Sequence, residues 1–94
     1  MPRAKHGPCA LCGRCVPLTF HHLIPRKMHR RAHFRKRYSR QALGAGIDIC
    51  RRCHTGLHRL HDEMTLARQL NTLQALQADD AVARHVDWVA RQKS

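Results

Sequence analysis

Two Cys-x-x-Cys pairs are the residues of this chain whose types and spacing most clearly indicate chemistry. Cys9 and Cys12 form the first pair, and Cys50 and Cys53 form the second. Four thiolates can supply the closed tetrahedral shell that a structural Zn²⁺ prefers. We therefore predict a structural zinc site at these four positions. The alternative is that all four are ordinary reduced cysteines that bind no metal.

A fifth cysteine leaves an alternative ligand open. Cys15 forms an overlapping Cys-x-x-Cys with Cys12 and could replace Cys9 in the site. Gly13, directly after Cys12, suits the tight turn of a metal-binding knuckle built on Cys9 and Cys12. The preferred ligand set therefore keeps Cys9 and leaves Cys15 out.

Two groups of histidines form a second candidate site. His21 and His22 are neighbours in an apolar segment, whereas His54 and His58 are four residues apart in a predicted helix. Side chains at i and i+4 share a helical face and can bind one metal ion, while neighbours on a strand diverge. One of His21 and His22 can thus bind metal while the other faces substrate, which supplies the metal and the base of a hydrolase. Four further histidines are expected at the surface: His6, His29, His33 and His85.

Two strands and a helix have to bring these ligands together. Residues 16–25 and 47–50 are rich in β-branched and apolar residues and predict two short strands. A helix is predicted from about His54. Cys12 shortly precedes the first strand and Cys53 adjoins His54, so one zinc at the cysteines would also draw the histidines together.

The remainder of the chain predicts a helical extension. Leu66, Leu70 and Leu73 share a helical face, which Leu76 extends. Asp79 and Asp80 suit the cap of a final helix in which Val82, Val86 and Val89 share a face. We predict one α+β domain over residues 1–94, with its core at about 9–61 and C-terminal helices at about 62–92.

The charge of the chain favours a polyanionic partner. Its 94 residues contain 18 Lys and Arg but only 6 Asp and Glu, a formal net charge of +12. Residues 26–40 are the most basic part and lack a clear apolar stripe, so a regular buried helix is not expected there. We expect this segment to follow a nucleic-acid backbone through Arg26, Lys27, Arg30, Arg31, Arg35, Lys36, Arg37 and Arg40.

Three sequence segments carry a family resemblance. Residues 9–14 (CALCGR), 18–26 (LTFHHLIPR) and 47–58 (IDICRRCHTGLH) together resemble the zinc-knuckle branch of the HNH (His-Me finger, ββα-metal) endonucleases. The resemblance implies a zinc-braced ββα-metal finger that hydrolyses phosphodiester bonds in DNA. It assigns His22 as the general base and His21, His54 and His58 as ligands of the catalytic metal. One position departs from the pattern, because Ala45 stands about where the family often has Asn, and Asp48 is the nearest polar residue.

The expected cofactors are a structural Zn²⁺ and a catalytic divalent ion. Imidazole ligands suit Zn²⁺, Ni²⁺, Co²⁺ or Mn²⁺ better than Mg²⁺, so the identity of that ion stays open among these five. The expected partner is double-stranded DNA and not a membrane, and the expected location is the cytoplasm, because no apolar run suggests a signal peptide or a membrane helix. The alternatives are a non-catalytic zinc-containing module that binds nucleic acid, or a nuclease that acts on RNA.

Overall fold

Strand β2 (Cys15–His22) is the central strand of the computed structural model, which describes residues 5–93. It pairs antiparallel with β1 (Lys5–Pro8) on one side and with β3 (Gly46–Cys50) on the other. The two predicted strands are confirmed, whereas β1 was not predicted. Its four residues, KHGP, lack the alternation of apolar and polar residues that marks a strand.

Helix α3 (Arg51–Leu60) follows β3 without a loop. The sulfur of Cys50 caps the helix by accepting the backbone N–H of Cys53 at 3.4 Å. The helix therefore begins three residues before His54, the predicted start. Cys53, Gly56 and Leu57 are buried on its inner face, which leaves His54 and His58 beside the sheet.

The basic connection between β2 and β3 is folded into short, mostly exposed helices, and none of them is the regular buried helix that was not expected there. It contains a 3₁₀ helix (Arg26–Met28) and the helices α1 (Ala32–Arg37) and α2 (Arg40–Leu43). Phe34 is only 1% exposed and packs with Ile24 and Met28 against Ala67. One aromatic anchor with few apolar companions is enough to hold these short helices, because the partner surface comes from a distant part of the chain.

Both ends of that connection meet at one point of the sheet. The backbone N–H of Leu23, directly after β2, donates to the carbonyl of Ala45, directly before β3, at 3.1 Å. The basic segment is therefore a loop that leaves and rejoins the β2–β3 pair at the same place.

Three helices complete the described part of the chain: α4 (Glu63–Gln69), α5 (Leu73–Ala78) and α6 (Asp80–Ala90). The predicted cap of the last helix is confirmed, since Asp79 accepts the N–H of Val82 at 3.1 Å. Val82 and Val89 are fully buried and Val86 is half-buried. The leucine-rich stretch forms two helices rather than one, because Thr72 caps a new helix by accepting the N–H of Ala75.

Helix α6 packs closely across α3. A Cβ atom on Gly56 would collide with the imidazole ring of His85. That ring is half-buried and its Nε2 lies 2.9 Å from the carbonyl oxygen of Arg52, so His85 is not the free surface residue that was expected. Glycine at position 56 thus sets the distance between these two helices.

The principal core joins the sheet, α3 and the C-terminal helices. Its buried side chains are Cys9, Ile49, Cys50, Cys53, Leu57, Leu66, Leu70, Leu76, Val82 and Val89. The observed architecture is α+β, with a three-stranded antiparallel sheet and six α-helices within residues 5–93. Across the same residues, no helix combines the length and apolar character needed to cross a bilayer.

Candidate functional site

The four cysteines of the two Cys-x-x-Cys pairs lie together. The sulfur atoms of Cys9, Cys12, Cys50 and Cys53 all lie within 4.8 Å of one another. Cys12 and Cys50 are separated by 3.8 Å between sulfurs. A tetrahedral ion with Zn–S bonds of about 2.3 Å requires sulfur–sulfur distances of about 3.8 Å. The cluster therefore has the donor type and the dimensions of a structural zinc site.

The backbone around the first pair is shaped to present both sulfurs. Gly13 has a φ of 81°, and its N–H donates to the carbonyl of Cys9 at 2.9 Å, so the turn requires glycine as predicted. The backbone N–H groups of Cys12 and Cys50 donate to the sulfur of Cys9 at 3.4 and 3.3 Å. These donors favour a thiolate at Cys9.

The electrostatics of the cluster call for a cation. The pKa of Cys9 is lowered to about 4, first by the thiol of Cys53 that donates to it and then by backbone N–H groups. The same hydrogen bond with Cys9, followed by burial, raises the pKa of Cys53, and burial raises the pKa of Cys12. One thiolate thus opposes the ionisation of its neighbours, and all four can ionise together only around a positive ion. The residues present fit zinc on this ground.

Cys15 lies outside this cluster. It is an exposed residue at the start of β2, where it pairs with Pro8 of β1. The structure therefore groups Cys9, and not Cys15, with the other three sulfurs.

Three histidines form a second cluster. It adjoins the cysteine cluster in sequence, because His54 directly follows Cys53. Ring nitrogens of His21, His54 and His58 lie within 4.8 Å of one another. The ring of His21 lies 5.2 Å from that of His54 and 5.5 Å from that of His58, measured between centroids. Strand β2 supplies His21, and adjacent turns of α3 supply the other two.

His21 is the buried member of the histidine cluster. It is 1% exposed, and its Nε2 is a buried nitrogen without a hydrogen-bond partner among the described residues. Burial first, and then the nearby imidazoles of His54, His58 and His22, together lower its pKa to about 4. A buried unsatisfied nitrogen is costly, while a neutral imidazole nitrogen is a good metal ligand. These three histidines therefore fit a divalent transition-metal ion.

Thr19 sets the orientation of His54. Its hydroxyl donates to the carbonyl of Ile49 at 3.0 Å and lies 2.9 Å from Nδ1 of His54. A hydroxyl has only one proton, so its second contact must accept the Nδ1–H of His54. The Nε2 of His54 is then unprotonated and free to bind metal. Sequence reasoning missed Thr19, although it lies two residues before His21 and so on the same face of the strand.

His22 points to the opposite side of β2 and is half-buried. Its ring lies 4.9 Å from that of Phe20 and 5.7 Å from that of His29. Burial lowers the pKa of His22, and the charges of His29 and Arg26 lower it further. Sequence reasoning also missed His29, which is half-buried with its Nε2 2.6 Å from the carbonyl oxygen of Ile24.

Ala45 and Asp48 lie near the position at which the resemblance to HNH endonucleases leads us to expect an Asn. Asp48, the nearest polar residue in sequence, instead forms an ion pair with Lys5 at 3.0 Å. The carbonyl of Ala45 accepts the N–H of Leu23, the residue after His22. A backbone contact therefore joins the chain next to His22 to the residue before β3.

A cavity of about 240 Å³ lies between the histidine cluster and His22. It is open to solvent, and exposed Phe20 lies at its edge above Gly46, where any Cβ would collide with the Phe20 ring. Its lining includes His21, His22, Arg26, Lys27, His54, His58 and Glu63. The three-histidine cluster and His22 thus face one common space.

Only part of the basic segment reaches that space. Arg26 and Lys27 line the cavity, and Lys27 also lies 3.5 Å from Glu63. The six other basic residues of the segment are exposed and do not line it: Arg30, Arg31, Arg35, Lys36, Arg37 and Arg40.

Comparison with known proteins gives one informative match. The chain is 36% identical over 93 residues to the uncharacterized protein YisB of Bacillus subtilis (strain 168). The match covers 98% of this chain and 82% of YisB. No family model and no solved structure matches the chain.

Proposed function

The chain belongs to the protein family of YisB from Bacillus subtilis, and we propose that it is a divalent-metal-dependent endonuclease of the HNH type that hydrolyses phosphodiester bonds in DNA. The observation that carries this proposal is the buried, unpartnered Nε2 of His21 within a three-histidine cluster that shares its cavity with His22. A zinc-binding module without catalysis has no use for that combination.

His22 is the general base of the proposed reaction. It lies outside the ligand cluster yet faces the same cavity, so its imidazole can accept a proton from a water positioned against a bound phosphate. His21, His54 and His58 would hold the divalent ion, and an ion held there would offset the negative charge that develops on the phosphate. Arg26 lines the same cavity, and its guanidinium can contact the phosphate through two N–H donors.

The cysteine cluster has the role of a structural zinc site in this proposal. Cys50 and Cys53 hold the junction of β3 and α3, while Cys9 and Cys12 attach the β1–β2 turn to it. His54 directly follows Cys53, so zinc at the cysteines would fix the position of a ligand in the second cluster. The antiparallel β2–β3 pair followed by α3 supports the ββα-metal arrangement.

Cleavage of supercoiled plasmid DNA tests the proposal. The zinc-loaded protein is assayed with Mg²⁺, Mn²⁺, Co²⁺, Ni²⁺ or added Zn²⁺, beside a parallel assay on RNA. His6→Ala is the matched control, because His6 is an exposed histidine of β1 outside both clusters. Cleavage by the His6→Ala variant and none by His58→Ala supports the proposal. Absence of cleavage with every ion would instead favour a nucleic-acid-binding module, and cleavage of RNA alone would favour an RNA nuclease.

A further inference from the structure

The backbone of the basic segment is anchored to the rest of the fold by two aromatic residues. Phe34 anchors α1 in the second cluster of buried side chains, and Tyr38 stacks on it with ring centroids 6.2 Å apart. The hydroxyl of Tyr38 accepts an N–H from the side chain of Asn71 at 3.3 Å. The segment is therefore packed against the rest of the protein and is not an extended tail.

A second cavity, of about 510 Å³, lies within this surface. The 3₁₀ helix, α1 and α2 each contribute one arginine to it. Its polar lining consists of His22, Arg26, His29, Arg35, Tyr38 and Arg40. Within the described part of the chain, no Asp or Glu lines the cavity, and none of the three arginines forms an ion pair. Three guanidinium groups without a carboxylate favour an anionic occupant over a cationic or neutral one.

The two cavities share a wall. His22 and Arg26 line both the cavity of the histidine cluster and this arginine cavity. An anion in the arginine cavity would therefore lie beside the proposed base and beside Arg26. In a polynucleotide, the group next to a reacting phosphate is another phosphate, one nucleotide along the strand.

We propose that the arginine cavity, through Arg26, Arg35 and Arg40, binds the phosphate adjacent to the one that faces the histidine cluster in a nucleic-acid strand. The planar guanidinium presents paired N–H donors that match two phosphate oxygens, and three such groups can surround one phosphate. The volume also admits the attached sugar. The proposal rests on the proposed function for the identity of the strand, but the binding of phosphate there does not depend on catalysis.

The test compares two double variants with the same change of charge. Arg35→Gln with Arg40→Gln removes two cavity arginines, whereas Arg30→Gln with Arg37→Gln removes two exposed arginines of the same segment that line neither cavity. Affinity for a labelled DNA oligonucleotide is measured against salt concentration, with zinc-loaded protein and no added second metal. Zinc content and circular dichroism establish that each variant is folded, and the single Arg35→Gln and Arg40→Gln variants carry the comparison if the double variant unfolds.

The cavity variant is expected to bind about tenfold or more weakly, the scale expected when charge-assisted hydrogen bonds are removed. Its log–log salt slope should fall by about 0.9 for each phosphate that the variant no longer neutralises. The control pair should weaken binding by less than about fivefold, because Arg30 and Arg37 line neither cavity. Equal weakening in the two variants would overturn the proposal.

Competition identifies the source of the phosphate. An unlabelled oligonucleotide is expected to displace the labelled one at a far lower phosphate concentration than a mononucleotide or inorganic phosphate does. Equal competition per phosphate by the mononucleotide would overturn the assignment to a strand. If the wild type cleaves nothing yet the cavity variant alone loses affinity, the proposed function fails and this site stands. If the wild type cleaves DNA and both variants behave alike, only this site fails.

Discussion

The hydroxyl of Thr19 lies 2.9 Å from Nδ1 of His54 and 3.0 Å from the carbonyl oxygen of Ile49, so a single side chain connects the helix that bears two candidate ligands to the edge of β3. The hydroxyl donates its only proton in the hydrogen bond to the Ile49 carbonyl, so it must accept the Nδ1–H of His54. His54 is therefore protonated at Nδ1, and its Nε2 is free to bind a metal ion. This contact makes the histidine cluster dependent on a residue that binds nothing itself.

Thr19→Val is predicted to weaken metal binding at the histidine cluster by about 10- to 100-fold, the usual cost of losing a partner of a ligating histidine. Titration with Co²⁺ or Ni²⁺, followed by calorimetry on zinc-loaded protein, measures the change. Thr19→Ser keeps the hydroxyl and should bind metal like the wild type. Equal affinities for the Val and Ser variants would show that His54 is oriented by something else.

His22→Ala is predicted to reduce cleavage by at least about 10²-fold, the lower range for loss of a general base. Fold, zinc content and DNA affinity should be nearly unchanged, because His22 lies outside both ligand clusters. His21→Ala should differ by also weakening the binding of the second metal. Cleavage by His22→Ala at the wild-type rate would remove His22 from the mechanism.

Removal of zinc is predicted to unfold the protein. Structural zinc contributes on the order of 10 kcal/mol in small domains, which is similar to a whole domain stability of about 5–15 kcal/mol. Cys50→Ser or strong chelation should therefore abolish the circular dichroism of the folded state. Cys15→Ser is the matched control and should have little effect, since Cys15 is exposed and outside the cluster. Unchanged spectra after complete removal of zinc would contradict this prediction.

Gly56→Ala is predicted to destabilise the protein, although alanine is normally better than glycine inside a helix by about 1 kcal/mol. The added methyl group would collide with the ring of His85, which would have to move away from its contact with the Arg52 carbonyl. His85→Ala in the same chain should relieve the collision, so Gly56→Ala should lower the free energy of unfolding less in the His85→Ala background than in the wild type. A double-mutant cycle by urea unfolding measures this difference. Additive effects of the two substitutions would argue against this contact.

Local patterns were enough to predict β2, β3 and the final helix, because their signals lie within a few residues of one another. The cap at Asp79 is such a signal, and the structure confirms it. Helices α1 and α2 were not predicted for a physical reason: α1 is held by Phe34 packing against Ala67, more than thirty residues away, and α2 has no fully buried side chain of its own. His29 was missed on similar grounds, since its burial depends on the fold of that segment and not on its neighbours in sequence.

The spacing of cysteines and histidines predicted which side chains the structure would group, but not how they are supported. Cysteine and histidine can be recognised as potential metal ligands from residue type alone, and the pairs Cys9–Cys12 and His54–His58 have spacings typical of metal sites. The role of Thr19 depends on the register of β2 against β3, which no single segment encodes. The arginine cavity likewise depends on three separate helical turns meeting.

The hydrogen bond from Leu23 to Ala45 has a consequence for how this family can diversify. Because the chain leaves and rejoins the sheet at one point, residues 24–44 can change in length without shifting β2 against β3. Doubling the length of a flexible loop costs only about 0.6 kcal/mol in closure entropy. A replacement needs apolar residues in place of Ile24, Met28 and Phe34 to cover Ala67. The segment proposed to bind a nucleic-acid strand can thus diverge by insertion, deletion or exchange without any change in the cysteine and histidine clusters.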